Sequence, residues 1–208
     1  MSIHYSRSFP PFLFTSPIYH FTTICQVYLT YSIIFLSEYA DLPSHSIFYG
    51  GDFLKIQWKE LIICIAIPLA VGGLASFLTE DSMQTFAMIE KPPLAPPAWL
   101  FPVVWTILYV LMGIASYIVY TSDKSGQVST ALKVYGLQLA FNFFWSIIFF
   151  NLENYLLAFV WLVALWILIL LTNRLFDKIS DTAGYLILPY LLWVTFAGYL
   201  NWGIYLLN

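Results

Sequence analysis

Four side chains with hydrogen-bonding heads stand out because almost everything around them is apolar. Gln138, Asn142 and Trp145 are spaced i, i+4 and i+7, which puts them on one face of a helix. Asn201 lies in a second apolar stretch. A carboxamide in hydrocarbon must find a partner. It can find one as interhelical glue, worth about 0.6–2 kcal/mol per bond, or by orienting the polar edge of a ligand in a pocket. The spacing allows both. Trp105, Trp145 and Trp193 also fall inside apolar stretches. Their faces suit a flat apolar ligand, and they suit packing between helices equally well. Trp58 and Trp99 lie near the ends of such stretches and read as interfacial belt residues. Nothing local distinguishes pocket from lipid exposure at Trp161 and Trp166.

The segment Lys91-Pro92-Pro93-Leu94-Ala95-Pro96-Pro97 has four prolines in six residues and excludes a helix. It reads either as a stiff connector or as a rigid lid over a cavity. Pro102 falls in the first turn of the next helix, where its missing N–H is harmless. The residues of hydrolytic and metal chemistry are elsewhere. His4, His20 and His45 all precede residue 53, the cysteines are Cys25 and Cys64, and no carboxylate sits inside any apolar stretch from residue 61 onward. This disfavours axial haem ligation by His, a zinc site, a proton relay and a Ser-His-Asp or Cys-His centre. No phosphate-binding or dinucleotide glycine motif occurs. The expectation is a binding protein rather than an enzyme, with no metal site and no required cofactor.

The elements that position these residues follow from composition. The chain has 208 residues, 61% hydrophobic, 20% aromatic and 9% charged, with a mean hydropathy of +0.80. A soluble domain carries about 25% charged residues, so a soluble enzyme is excluded. The net charge of −3 gives no basic footprint for nucleic acid. Residues 61–79, 92–122, 134–152, 154–173 and 182–208 are charge-free windows, each holding a stretch near the ~20 residues that cross a bilayer. The absence of strand-like alternation argues against a barrel. These windows predict an all-α integral membrane protein whose partner is the lipid bilayer, with spans near 58–78, 99–120, 131–150, 155–172 and 183–206. Gly72, Gly73, Ala75 and Ser76 in the first span, with Gly113, Ala115 and Ser116 in the second, permit close helix contact. They serve either internal packing or a homodimer.

Residues 1–53 stand apart. Ile18–Leu36 is too polar for a clear span and lacks a signal-peptide pattern. The segment reads as a disordered or membrane-skimming leader, or as a misplaced start. Gly50-Gly51-Asp52 could be encoded by GGAGGTGAT, which resembles a bacterial ribosome-binding sequence, and Leu54 by a TTG start codon. The functional domain is then 54–208. Alternation of five spans puts Lys55, Lys59, Lys124, Lys133, Arg174 and Lys178 at one side and Lys91 alone at the other. The basic side is expected to be cytoplasmic, with the C-terminus and the 79–98 loop external, in what reads as a bacterial membrane.

The run from Lys91 to Trp99, continued by Phe101, Val104-Trp105-Thr106, Leu108-Tyr109 and Met112-Gly113, resembles the signature of the TspO/translocator family of tryptophan-rich sensory proteins and peripheral-type benzodiazepine receptors. The likeness continues through Gln138-Leu139-Ala140, Asn142, Trp145 and Ile148-Phe149-Phe150. It ends with Pro189-Tyr190, Trp193, Phe196-Ala197 and Leu200-Asn201.

The resemblance implies a five-helix bundle, often dimeric, with a pocket closed by the proline-rich loop. Family ligands are porphyrins and haem-related tetrapyrroles, sterols in animals, and synthetic isoquinolines and benzodiazepines. By position, the resemblance assigns the pocket to Phe101, Trp105, Asn142, Trp145, Trp193, Ala197 and Leu200. It assigns the lid to Lys91, Pro92, Pro96 and Pro97, and favours the pocket reading of the Asn142/Trp145 face over glue. The implied function is a receptor or sensor with porphyrin or haem as ligand. A porphyrin transporter, or a porphyrin-degrading enzyme acting through Trp202, are the alternatives. The sequence departs from the family where Leu94 replaces a loop tryptophan and where Thr85-Phe86 replaces a Trp-Tyr pair, which weakens the degradation reading. Tyr205 is followed by Leu206-Leu207-Asn208 with no basic residue, so the sterol-associated pattern is missing.

Overall fold

The computed structural model describes residues 56–80, 88–123 and 125–208. The leader and start-site readings of residues 1–53, the Thr85-Phe86 positions and the 81–87 part of the loop lie outside the described residues. Among the described residues five helices occur, in the order α1 (Trp58–Leu78), α2 (Leu100–Tyr120), α3 (Ser125–Ser146, prolonged by a π-helical turn Ile147–Asn151), α4 (Tyr155–Ile179) and α5 (Asp181–Leu207). Each is long and apolar enough to cross a membrane. No strand forms among the described residues. A helix satisfies its backbone internally, which hydrocarbon demands.

The helices close into a ring. α1 packs on α2 and α3, α3 on α4, α4 on α5, and α5 returns to α2. Polar contacts sort the helix ends into two sets. The Gln57 N–H donates to Tyr117 Oη (3.0 Å), joining the start of α1 to the end of α2. Asn151 Nδ2 donates to the Leu78 carbonyl (2.9 Å), joining the ends of α3 and α1. Asn201 Nδ2 donates to the Tyr155 carbonyl (2.8 Å), joining the end of α5 to the start of α4.

Two helices are longer than the expected spans. α4 continues past residue 172 through Arg174, Asp177 and Lys178 because Asn173, Phe176 and Ile179 stay buried along one face. Only Ser180 separates it from α5, and Asn173 Nδ2 donates to the Gly184 carbonyl across the hairpin (2.7 Å). The expected 173–182 loop is therefore mostly helix. α3 begins at Ser125 rather than near 131 because Ala131 is fully buried and Val128 packs on the same core.

The small residues of α1 and α2 act inside the molecule. A Cβ on Gly113 would stand 2.5 Å from Ile65 Cα and 2.9 Å from the Cys64 carbonyl oxygen, so the two helices approach backbone to backbone here. A Cβ on Gly72 would land within the Tyr109 ring. Gly73, one residue on, faces open space. α1 otherwise buries only Pro68 and Ala75 and leaves Ile62, Ile63, Ile67 and Leu74 exposed. Its attachment rests heavily on the two glycine contacts. Gly113→Val should therefore cost about 1–3 kcal/mol by overpacking. That is a drop of several degrees in thermal midpoint for a chain this size. Gly73→Ala should leave the midpoint unchanged or raised, as read by thermal unfolding in detergent.

Candidate ligand-binding cavity

A cavity of about 760 Å³ opens between α1, α2, the end of α3, α5 and the 88–98 segment. Its walls are built by helical periodicity. α2 presents Phe101, Trp105 and Tyr109 at successive i, i+4 positions, and α5 presents Trp193, Ala197, Leu200 and Ile204 on one stripe. α3 contributes Trp145 and then Phe149 and Phe150 from its π-helical turn. Phe149 shares the face of Trp145 at i+4, and the π turn, which adds one residue to the helical repeat, brings Phe150 to the same wall. The backbone recovers through Glu153 at φ 49° before Asn154 caps α4 by accepting from the Leu157 N–H (3.0 Å).

The aromatic rings are mutually braced. Trp105 stacks on Tyr109 (centroids 5.5 Å) and meets Tyr190 edge-on (6.0 Å). Trp193 meets Phe101 edge-on (6.0 Å), and Trp145 stacks on Phe149 (5.2 Å). Trp145 Nε1 donates to Asn201 Oδ1 (3.3 Å), and since Asn201 is also tied to the start of α4, that indole is held at a fixed angle. The Trp193 Nε1–H is buried and has no hydrogen-bond partner among the described residues. Such a group costs about 1–3 kcal/mol relative to a bonded one.

Of the seven residues assigned to the pocket by resemblance, Phe101, Trp105, Trp145, Trp193, Ala197 and Leu200 line this cavity. Asn142 does not. It lies behind the wall, 1% exposed, with both ends of its carboxamide engaged. Tyr109 Oη donates to Asn142 Oδ1 (2.8 Å), while Asn142 Nδ2 and Gln138 Nε2 both donate to Tyr190 Oη (3.0 Å each). This chain ties α2, α3 and α5 together, so Asn142 reaches the cavity only through Tyr109. Of the lid residues, Lys91 and Pro96 line the cavity. Pro92 is buried against Gly203 of α5, and Pro97 is exposed. Trp202 points elsewhere. It packs on Phe159 (4.9 Å) and Tyr205 (5.4 Å) in an outer groove between α4 and α5, shared with Trp166.

The other tryptophans are interhelical or peripheral. Trp161 Nε1 donates to the Phe141 carbonyl (2.8 Å) and Trp166 Nε1 to Thr195 Oγ1 (2.9 Å). Trp58 and Trp99 are exposed near helix starts. Sequence reasoning assigned no pocket role to Tyr109, Phe149 or Phe150. The first had a legible signal, four residues beyond Trp105 on the same face. Phe149 had the same signal, four residues beyond Trp145, and only Phe150 depends on the π turn. No group of three or more His, Cys, Asp or Glu able to hold a metal occurs among the described residues.

The polar chain yields a direct test. In a double-mutant cycle, Tyr109→Phe and Asn142→Ala should be non-additive. The expected coupling is about 0.5–1.5 kcal/mol, the range for interhelical hydrogen bonds in membranes, read from unfolding in mixed micelles.

Comparison with known proteins agrees with this architecture. Residues 64–207 match the model of the TspO/MBR family. The tryptophan-rich protein TspO of Chlorobaculum tepidum is 41% identical over 154 residues, covering 73% of this chain and 98% of that protein. The tryptophan-rich sensory protein of Cereibacter sphaeroides is 33% identical over 155 residues, with 74% and 95% covered. The translocator protein of Ovis aries is 30% identical over 148 residues, with 70% and 88% covered. With five apolar helices around an aromatic cavity and a family match over most of its length, this chain is an integral membrane protein of the TspO/MBR family.

Proposed function

We propose that the chain is a membrane receptor or sensor that binds porphyrin or a related tetrapyrrole in the aromatic cavity, beneath the proline-rich segment. The observation that carries this reading is the cavity itself. Its volume lies within the ~300–1,000 Å³ of small-molecule sites, and indole and phenyl rings stand on three of its walls. Flat faces of this kind favour a flat, conjugated ligand. The names of relatives, a sensory protein and a translocator, accord with a receptor role. Ligand affinity comes chiefly from Trp105, Trp145 and Trp193. Asn142 supports the wall by holding Tyr109.

The ligand is bound reversibly and no resident cofactor is required. Breakdown of the ligand at Trp202 draws no support from the geometry, since that ring lies in the outer groove. The helix ends that carry Lys59, Arg174 and Lys178 form the cytoplasmic side, and the end with Lys91 and the cavity mouth forms the external side. A homodimer is compatible with this reading, although Gly72 and Gly113 are already used within one chain.

Trp105→Leu should weaken protoporphyrin IX binding about tenfold, the effect of losing one stacked aromatic face with its buried area. Trp166→Phe and Trp202→Phe should leave it unchanged. Porphyrin absorbance titrations in nanodiscs read this without depending on protein fluorescence. Equal affinities for wild type and Trp105→Leu would remove the cavity from consideration.

A further inference from the structure

The 88–98 segment has few means of holding itself in place. Four of its eleven residues are prolines, which cannot donate. Within it, the Ala95 N–H closes a turn onto the Pro92 carbonyl (3.0 Å). It is instead fastened to the end of α5, more than a hundred residues away in the chain. Asn208 grips the backbone of Glu90 at both polar atoms: the Glu90 N–H donates to Asn208 Oδ1 (3.1 Å), and Asn208 Nδ2 donates to the Glu90 carbonyl (3.0 Å). The same Nδ2 also donates to the Ile204 carbonyl (3.0 Å), which anchors the carboxamide to its own helix. One turn back, the buried Pro92 ring lies on Gly203, where a Cβ would stand 2.8 Å from Pro92 Cβ and Cγ. The segment fastened in this way carries Lys91, Ala95 and Pro96 over the cavity, and Ile204, between the two attachment points, lines it.

We propose that Asn208 and Gly203 form a releasable latch, setting the rate at which ligand enters and leaves the cavity. Asn208 is a positioning residue that acts through the Glu90 backbone. The two bonds are solvent-exposed, so water replaces them at small net cost. Detaching the segment also frees Ile89, partly buried against the core, but breaks none of the hydrogen bonds that tie α2, α3, α4 and α5 together. The Pro92–Gly203 contact has no hydrogen bond to break and fixes where the segment lands when it returns. A latch whose release costs the same with and without ligand changes entry and exit together and leaves the equilibrium affinity almost untouched. The inference rests on the cavity being the ligand site, as proposed above.

The test uses the full chain in nanodiscs with two independent readouts. The first is the labelling rate of an Ala95→Cys variant by a hydrophilic maleimide, read at position 95 by mass spectrometry. The second is stopped-flow binding and release of protoporphyrin IX. Asn208→Ala should raise the labelling rate and both porphyrin rates about fivefold or more, the effect of losing two exposed hydrogen bonds. Affinity should change less than twofold. Gly203→Ala should do the same by displacing Pro92, and because alanine favours the helix its effect is not unfolding. Glu90→Gln should behave as wild type, since only the backbone of residue 90 is gripped. Unchanged labelling in both Asn208→Ala and Gly203→Ala, or an equal effect from Glu90→Gln, would overturn the latch. If wild-type chain fails to bind porphyrin, the proposed ligand is wrong, and the labelling rates still decide the latch.

Discussion

Helices surrounded by lipid gain little from burying apolar side chains against one another, because the tails outside are as apolar as the partner inside. The contacts that select one arrangement are close backbone approach and hydrogen bonds with no alternative partner. Here both converge on Tyr109. Gly72 gives its ring a place against α1, and Asn142 takes its hydroxyl and passes the connection to Tyr190 on α5. Three of the five helices are thereby set relative to one another by a single buried chain. Trp105 is stacked on Tyr109 and edge-on to Tyr190, so the same chain sets the angle of a cavity wall.

The functional anatomy is a consequence of that arrangement. α4 is excluded from the cavity and serves as a buttress: it packs along α5 and takes the Asn201 carboxamide at its first residue. Asn201 in turn holds Trp145. Trp105 and Trp145 are thus positioned by residues behind or beside the wall. The carboxamides conspicuous in the sequence are framework, and the aromatic rings line the cavity. The charges gather at helix ends and in connecting segments, leaving the interior of the bundle to uncharged hydrogen bonds.

The fold was largely legible because each span is a charge-free window flanked by charges. The two misplaced helix boundaries have one cause, which α4 illustrates. Arg174 and Lys178 lie on a helix whose other side, at Phe176 and Ile179, is still packed. A charge signals that one face is wet, not that the helix has ended. The candidate site was legible as a set of faces and not as depths. The i, i+4, i+7 spacing places Asn142 beside Trp145, yet one lies behind the wall and the other in it. Only the neighbouring helix decides which. Trp202 shows the same limit. It is adjacent to Asn201 in sequence, and the 100° turn per residue sends it to the outer groove between α4 and α5. The π turn that brings in Phe150 has no periodic signature, since it is a local departure from the period being read.

If the aromatic cavity is the ligand site, the most direct test is to fill it without disturbing the helices around it. Gly73 lines the cavity, and a Cβ added there meets nothing within 4 Å among the described residues. Gly73→Phe should occupy the space that the ligand requires. The decisive measurement is the affinity of this variant for protoporphyrin IX, with thermal stability recorded alongside. Binding should be lost while the thermal midpoint is kept or raised. Wild-type affinity in a stably folded Gly73→Phe protein would contradict the assignment of the cavity.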